Sequence, residues 1–230
     1  MKMSRLLWLS LVFLLASCAS RTVLHEGQNT IHLPAPLVCS GKLQPQARVQ
    51  LDMVDSLIAS GRQQAALAEL LATPMDSIQH WLRYAQLQAG TGQLERSGAV
   101  FHRLAEHCDS AEAWHGLGMV QLKRQQLDEG LTTLKKAVRL LPADPALRND
   151  YGYGLMMAKQ YSAAVFQLRT ALELGNGTGP SRQNLAVAYL LSGDRNGLAH
   201  LRQQYAFSDD ELAYAKRLAA TFNTDTRSQP

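Results

Sequence analysis

Cysteine is scarce in this chain: Cys18, Cys39 and Cys108 are all there is in 230 residues. None stands in a C-x-x-C pair, which removes zinc ribbons and thioredoxin-like redox motifs. Charge of one sign is lacking too, since 23 Lys and Arg face 19 Asp and Glu. Nucleic-acid binding needs a clustered basic face, and Lys135, Lys136 and Arg139 on one helix read as a solvated edge instead. No apolar run reaches the roughly 20 residues of a membrane-spanning helix. The catalytic signatures G-x-S-x-G and H-E-x-x-H, the P-loop and the dinucleotide fingerprint are missing. Gly175 to Pro180 is glycine-rich but lacks the lysine and the preceding strand of a phosphate cradle, so it reads as a helix end and linker. His102 and His107 lie five residues apart, about 500° around a helix, and do not share a face as an i, i+4 metal pair would. These absences lead to the expectation of a non-enzyme with no cofactor, no metal, no small-molecule substrate and no nucleic-acid partner.

What is present is repetition. Residues 111–144 carry Trp114, Leu117 and Gly118, then Gly130, Leu134 and Ala137, then Pro142. Trp114 and Leu117 share one face of a first helix, and Gly118 is small enough for a second helix to come close. Gly130 is small for the same reason, Leu134 fills the seam, and Pro142 ends the second helix because it has no N–H. This spacing resembles the tetratricopeptide (TPR) pattern, a helix–turn–helix unit that buries its apolar face only against copies of itself.

Copies flank it. Trp81, Tyr84, Ala85, Gly92, Leu94, Ser97 and Phe101 take matching places in 78–110; Tyr151, Gly152, Leu155, Tyr161, Ala164, Leu168 and Ala171 do so in 145–178. Weaker copies carry Leu185, Ala186, Tyr189, Gly193 and Leu198 in 179–207, and Met53, Leu57, Gly61, Ala66, Leu70 and Pro74 in about 47–77. A lone amphipathic segment, 208–222, follows. Ser208 at its N-cap and Glu211 three residues on form a capping box, which fits a helix sealing the last repeat. Residues 223–230 read as a flexible tail. The expectation is an all-α TPR superhelical solenoid of about five helix–turn–helix repeats plus a C-terminal capping helix.

The N-terminus holds a second signal. Lys2 and Arg5 precede the apolar run Leu6 to Leu15, and Leu15-Ala16-Ser17-Cys18 follows. That is the layout of a secretory signal peptide over 1–17, and its end resembles the bacterial lipobox. The resemblance implies cleavage before Cys18, acylation of that residue and durable membrane anchoring, since each buried CH₂ contributes about 0.8 kcal/mol. Ala19 is not the aspartate of an inner-membrane retention signal, so the expected home is the periplasmic face of an outer membrane. Removal of Lys2 and Arg5 lowers the positive excess from four to two. Residues 18–46, punctuated by Gly27, Pro34, Pro36, Gly41 and Pro45, read as a lipidated tether, although Ile31, Leu33, Leu37 and Val38 offer apolar contacts. In an oxidising compartment Cys39 and Cys108 can pair and pin the tether across the first repeat, or can stay apart; spacing does not choose.

The remaining function is a surface. In TPR stacks the first helices line a concave groove, and the family resemblance assigns its inward positions here to Asp52 and Asp55; Gln79, Arg83 and Gln86; His115, Met119 and Lys123; Asn149, Asp150, Tyr153 and Met157; Gln183 and Asn184. Amides there can hydrogen-bond a peptide backbone, and Met and Tyr supply adaptable apolar contact. The alternative is that these are ordinary solvated residues and a partner uses the convex face or an edge.

A short TPR array behind a lipobox, the passage Arg182-Gln183-Asn184-Leu185-Ala186-Val187-Ala188-Tyr189-Leu190-Leu191-Ser192-Gly193, and a closing helix with Asp209 to Tyr214 together resemble the TadD lipoproteins of the tight-adherence (Tad, Flp) pilus system. That resemblance implies a protein partner, a secretin or another pilus-assembly component. Leu147-Arg148-Asn149-Asp150-Tyr151-Gly152 is similar to a passage of the type IV pilus pilotins of the PilF/PilW kind, which implies nearly the same mechanical role. A scaffold for cell-envelope assembly enzymes is the further alternative.

Overall fold

The computed structural model describes residues 33–224, and all of its regular structure there is helical. Residues 1–17, expected to be a signal peptide, together with Cys18, Ile31 and the last residues of the tail, lie outside the described residues. Eleven helices follow one another: α1 Pro45–Ala59, α2 Gln63–Leu71, α3 Ile78–Gly90, α4 Leu94–Cys108, α5 Ala111–Lys123, α6 Leu127–Leu140, α7 Pro145–Met157, α8 Tyr161–Leu174, α9 Pro180–Ser192, α10 Arg195–Gln204 and α11 Asp209–Thr224. The first ten pair as five antiparallel hairpins, and each hairpin packs on the next.

The anchor positions of the repeat do what their sizes require. Trp81 and Leu134 are fully buried, as are Leu168 and Ala164 in the following hairpin. Each buried Leu or Trp contributes roughly 1.5–3 kcal/mol from removal of apolar surface. A methyl on Gly118 would lie 2.7 Å from Leu134 Cγ and 3.2 Å from the Gly130 carbonyl oxygen, so both glycines set the α5–α6 separation. Helix starts follow local chemistry. Ser110 Oγ accepts from Ala113 N at 3.2 Å, and Asp144 Oδ1 accepts from Ala146 N and Leu147 N, with Pro145 at the first helical position. At the 175–180 linker, Gly177 (φ +77°) and Gly179 (φ +85°) turn the chain in the left-handed region between α8 and α9.

Curvature can be read from which helices meet. The odd helices approach one another in order, α3 with α5, α5 with α7 and α7 with α9, whereas the even helices make no comparable approach. The odd helices therefore form the inner wall.

Two details, at Met53 and Lys136, depart from the sequence reading, and two that it left open, the packing of the tether and the pairing of Cys39, are decided. In the degenerate first repeat Met53 is 53% exposed, and the core is built by Leu51, Val54 and Leu57; without a Trp or Gly anchor in that helix, the repeat spacing leaves its phase open. The tether expected over 18–46 is already packed from Leu33, because Leu33, Ala35, Leu37 and Leu43 lie against the first core and α1 starts at Pro45. Ser40 O accepts from Ile78 N at 2.9 Å, and Cys39 is disulfide-bonded to Cys108 at the end of α4, with Cα atoms 5.3 Å apart. Lys136 is not simply part of a solvated edge, since its Nζ sits 3.5 Å over the Trp114 ring.

Candidate functional site: a concave groove with an open and a filled half

The inner wall divides into three zones. The first is a set of bonds that stitch neighbouring first helices together. Arg83 on α3 donates twice to Asp55 on α1, Nη2 to Oδ2 at 2.6 Å and Nε to Oδ1 at 3.0 Å. His115 Nε2 on α5 donates to Asp150 Oδ2 on α7 at 2.7 Å. Asn149 Nδ2 donates to Asp150 Oδ1 at 3.0 Å and Asn149 Oδ1 accepts from Asn184 Nδ2 on α9 at 2.9 Å. Asn149 is buried, so this run behaves as a cross-repeat polar seam rather than as free hydrogen-bonding surface. Gln79 is partly buried with its side-chain oxygen unpaired, and Asp52 is exposed.

The second zone is open. A cavity of about 460 Å³ lies between α3 and α5, near the α1–α2 turn. Its floor is apolar: Ile58, Leu82, Ala89, Phe101, Met119 and Val120. Its rim is polar: Gln63, Gln86, Glu112, His115 and Lys123. Gly116 lets the Phe101 ring form part of this floor, because a methyl there would run into the ring. Four sequence-assigned residues, Gln86, His115, Met119 and Lys123, come together here. Met157 is half-buried on α7 outside this cavity.

The third zone is filled by the chain itself. The capping helix α11 packs mainly on α9, the first helix of the last repeat. Gln183 Nε2 donates to the Glu211 carbonyl at 3.3 Å, and Phe222 meets Tyr153 of α7 edge to face at 5.9 Å between ring centroids. So Tyr153 and Gln183, assigned to partner binding, touch α11. The box that starts the helix forms as the sequence suggests: Ser208 N donates to Glu211 Oε2 at 2.7 Å and Glu211 N to Ser208 Oγ at 3.2 Å. Arg182 also donates to Glu211, at 2.7 and 3.1 Å. Arg182 and then Ser208 hold the Glu211 carboxyl down to about 2. Sequence reasoning missed Glu211 and Phe222 as groove contacts; the capping box announced a helix start and nothing about its destination.

Away from the groove, His80 is fully buried, with Nδ1 2.7 Å from Ser77 Oγ, and burial lowers its pKa. His102 and His107 are exposed on α4, and among the described residues no group of His, Cys, Asp or Glu could hold a metal ion. Among those residues, no helix is long and apolar enough to cross a membrane.

Five hairpins with this packing, an inner wall of odd helices and a groove along it define a TPR solenoid, a class whose business is contact with other proteins. The chain belongs to the TPR repeat family: it is 30% identical over 187 residues to TPR repeat-containing protein PA4299 of Pseudomonas aeruginosa, a match covering 81% of this chain and 76% of that protein. No family model matches the chain. Solved structures agree in fold. A thermophilic TPR protein of Thermus thermophilus superposes with a TM-score of 0.60 at 21% identity, over 77% of this chain and 98% of its own. MamA (41-end) of Desulfovibrio magneticus RS-1 does so with 0.54 at 18% identity, over 76% and 98%.

Proposed function

We propose that this chain is a lipid-anchored, non-enzymatic TPR protein of the outer membrane's periplasmic face, and that it holds a protein segment in the open half of its groove during assembly of a Tad/Flp pilus and its secretin. The observation that carries the binding reading is the cavity between α3 and α5. An apolar floor ringed by amides, a histidine, a glutamate and a lysine has the composition of a recognition surface: apolar area for affinity, a few polar groups for register. The anchor rests on Leu15-Ala16-Ser17-Cys18. The Cys39–Cys108 bond supports an oxidising compartment, where such bonds persist. The pilus assignment rests on the 182–193 passage and the closing helix.

Fatty-acid labelling tests the anchor: label should enter the wild type and vanish in Cys18→Ala. Label retained in that variant, or absent altogether, removes the anchor. A deletion strain tests the role, with loss of secretin multimers and of surface Flp pili expected; normal multimers and normal piliation would remove it. The Leu147–Gly152 passage favours a type IV pilotin as second reading, in which case twitching pili and their secretin fail while Flp pili form.

A further inference from the structure

The filled half of the groove shows what the inner wall accepts. Helix α11 lies on α9 through one stripe: Ala215 and Ala219 are buried, and Leu212, Leu218 and Phe222 are partly so. Two of the contact residues are alanines, so the seat is shallow and closely approached. The opposite face, with Asp210, Ala213, Tyr214, Lys216 and Arg217, is exposed. Part of the receptor side is held by groups outside this helix: Arg182 is also fixed by the link that follows α10, donating from Nη1 to Tyr205 O at 2.6 Å and from Nη2 to Ala206 O at 3.1 Å. That leaves its guanidinium aimed at a carboxylate, which Glu211 supplies. At the far end Tyr153 and Phe222 meet edge to face. The link 205–208 has Ala206 at φ +49° and delivers α11 to α9 without packing it along α10.

We propose that the α7–α9 face is a helix-binding site, held in cis by α11 and taken in trans by an amphipathic partner helix of the same pattern. That pattern is a first-turn carboxylate for Arg182, small residues one and two helical repeats further on at the Ala215 and Ala219 places, and an aromatic residue for Tyr153. This extends the reading of the groove as a protein-binding surface and rests on it. The tethered helix competes as an intramolecular ligand at an effective concentration on the order of millimolar. For a free helix of affinity on the order of tens of micromolar, that weakens apparent binding about ten- to a hundredfold.

The probe is a fluorescent peptide of residues 208–224, titrated into the full chain. Ala215→Asp in the full chain places a charge on the buried stripe of α11 and leaves the α7–α9 wall unaltered. The expected result is saturable binding to Ala215→Asp at least about tenfold tighter than to the wild type, abolished when the peptide itself carries Ala215→Asp. A folded Ala215→Asp chain that ignores the peptide, or wild type and variant binding it equally, overturns the proposal. Hydrogen exchange on the wild-type chain decides the matter should that variant not fold. Amides of 213–222 should exchange at least about tenfold faster than those of α9, as local opening demands; equal protection overturns it. Partner capture through Met119 in the open half does not depend on α11, so failure here leaves the groove reading separately testable.

Discussion

Reduction of the Cys39–Cys108 bond opens a loop closed across a sequence separation of 69 residues. The chain-entropy relation gives about 4 kcal/mol for a loop of that length at room temperature, as an upper figure because unfolded chains retain some compactness. The structure adds a local consequence. The strap from Leu33 to Leu43 is held by partly buried apolar contacts, by one backbone bond from Ile78 N to Ser40 O, and by the disulfide. Without the covalent tie the strap frays, and the first core loses the cover of Leu33, Ala35 and Leu37. Guanidinium unfolding followed by circular dichroism, with and without reductant, measures the effect. With a slope of roughly 4 kcal/mol/M, the lost stability lowers the midpoint by up to about 1 M. A solenoid unravels by neighbouring units, so the first two hairpins should melt ahead of the rest and broaden the transition. Cys39→Ser and Cys108→Ser should each reproduce the reduced protein and then be insensitive to reductant. Coincident midpoints for oxidised and reduced chains, or two single variants that differ from each other, would show that the bond does not hold the strap.

Gly118→Ala should destabilise by about 1–3 kcal/mol, because its methyl meets Leu134 and the Gly130 carbonyl in a filled seam. Gly98→Ala, whose methyl meets Val120 Cγ1 at an ordinary 3.5 Å inside α4, should stabilise by roughly 0.5–1 kcal/mol through helix propensity; thermal melts of the pair check the sign of each. His80 is buried and neutral with its pKa below 6.5, so the unfolded chain binds the extra proton, and stability is full above 6.5 and falls as pH drops below it. His80→Asn should flatten that slope below pH 6.5 in denaturant midpoints. Glu211 runs the other way in mechanism and the same way in direction: its carboxyl is held at about 2 against an ordinary 4.5, so its contribution is intact above 4.5 and lost as pH falls through that range towards 2. Discounted for a side chain about one-third exposed, the effect is about 1 kcal/mol, read as acid-induced loss of α11 protection that Glu211→Gln shows already at neutral pH.

How much was legible before the structure differs from residue to residue for physical reasons. Trp81, Gly118, Leu134 and Leu168 fell into place because close helix approach demands fixed sizes at a fixed period. Met53 did not, since a repeat lacking those anchors leaves its phase open by a residue or two, and Leu51 and Val54 do the packing instead. The partner of Cys39 was undecidable from spacing, because only the path of the strap brings it to Cys108. The groove list mixed three kinds of residue that share a helix face. Asp55 pairs with Arg83, and His115, Asp150, Asn149 and Asn184 bond in one run; Tyr153 and Gln183 meet α11; and Gln86, Met119 and Lys123, with His115 shared from the seam, border open space. Periodicity finds the face; it cannot tell which of its members already have partners.

The central claim is that the open half of the inner wall, and not the outer surface, meets the partner. Photo-crosslinking in the native cell tests it directly, with a benzoylphenylalanine in place of Met119 in the cavity or of Phe166, 64% exposed on α8. A discrete crosslinked species is expected from position 119, lost on Gln86→Arg or Lys123→Glu, and none from 166. A species from 166 with none from 119 would contradict the central claim.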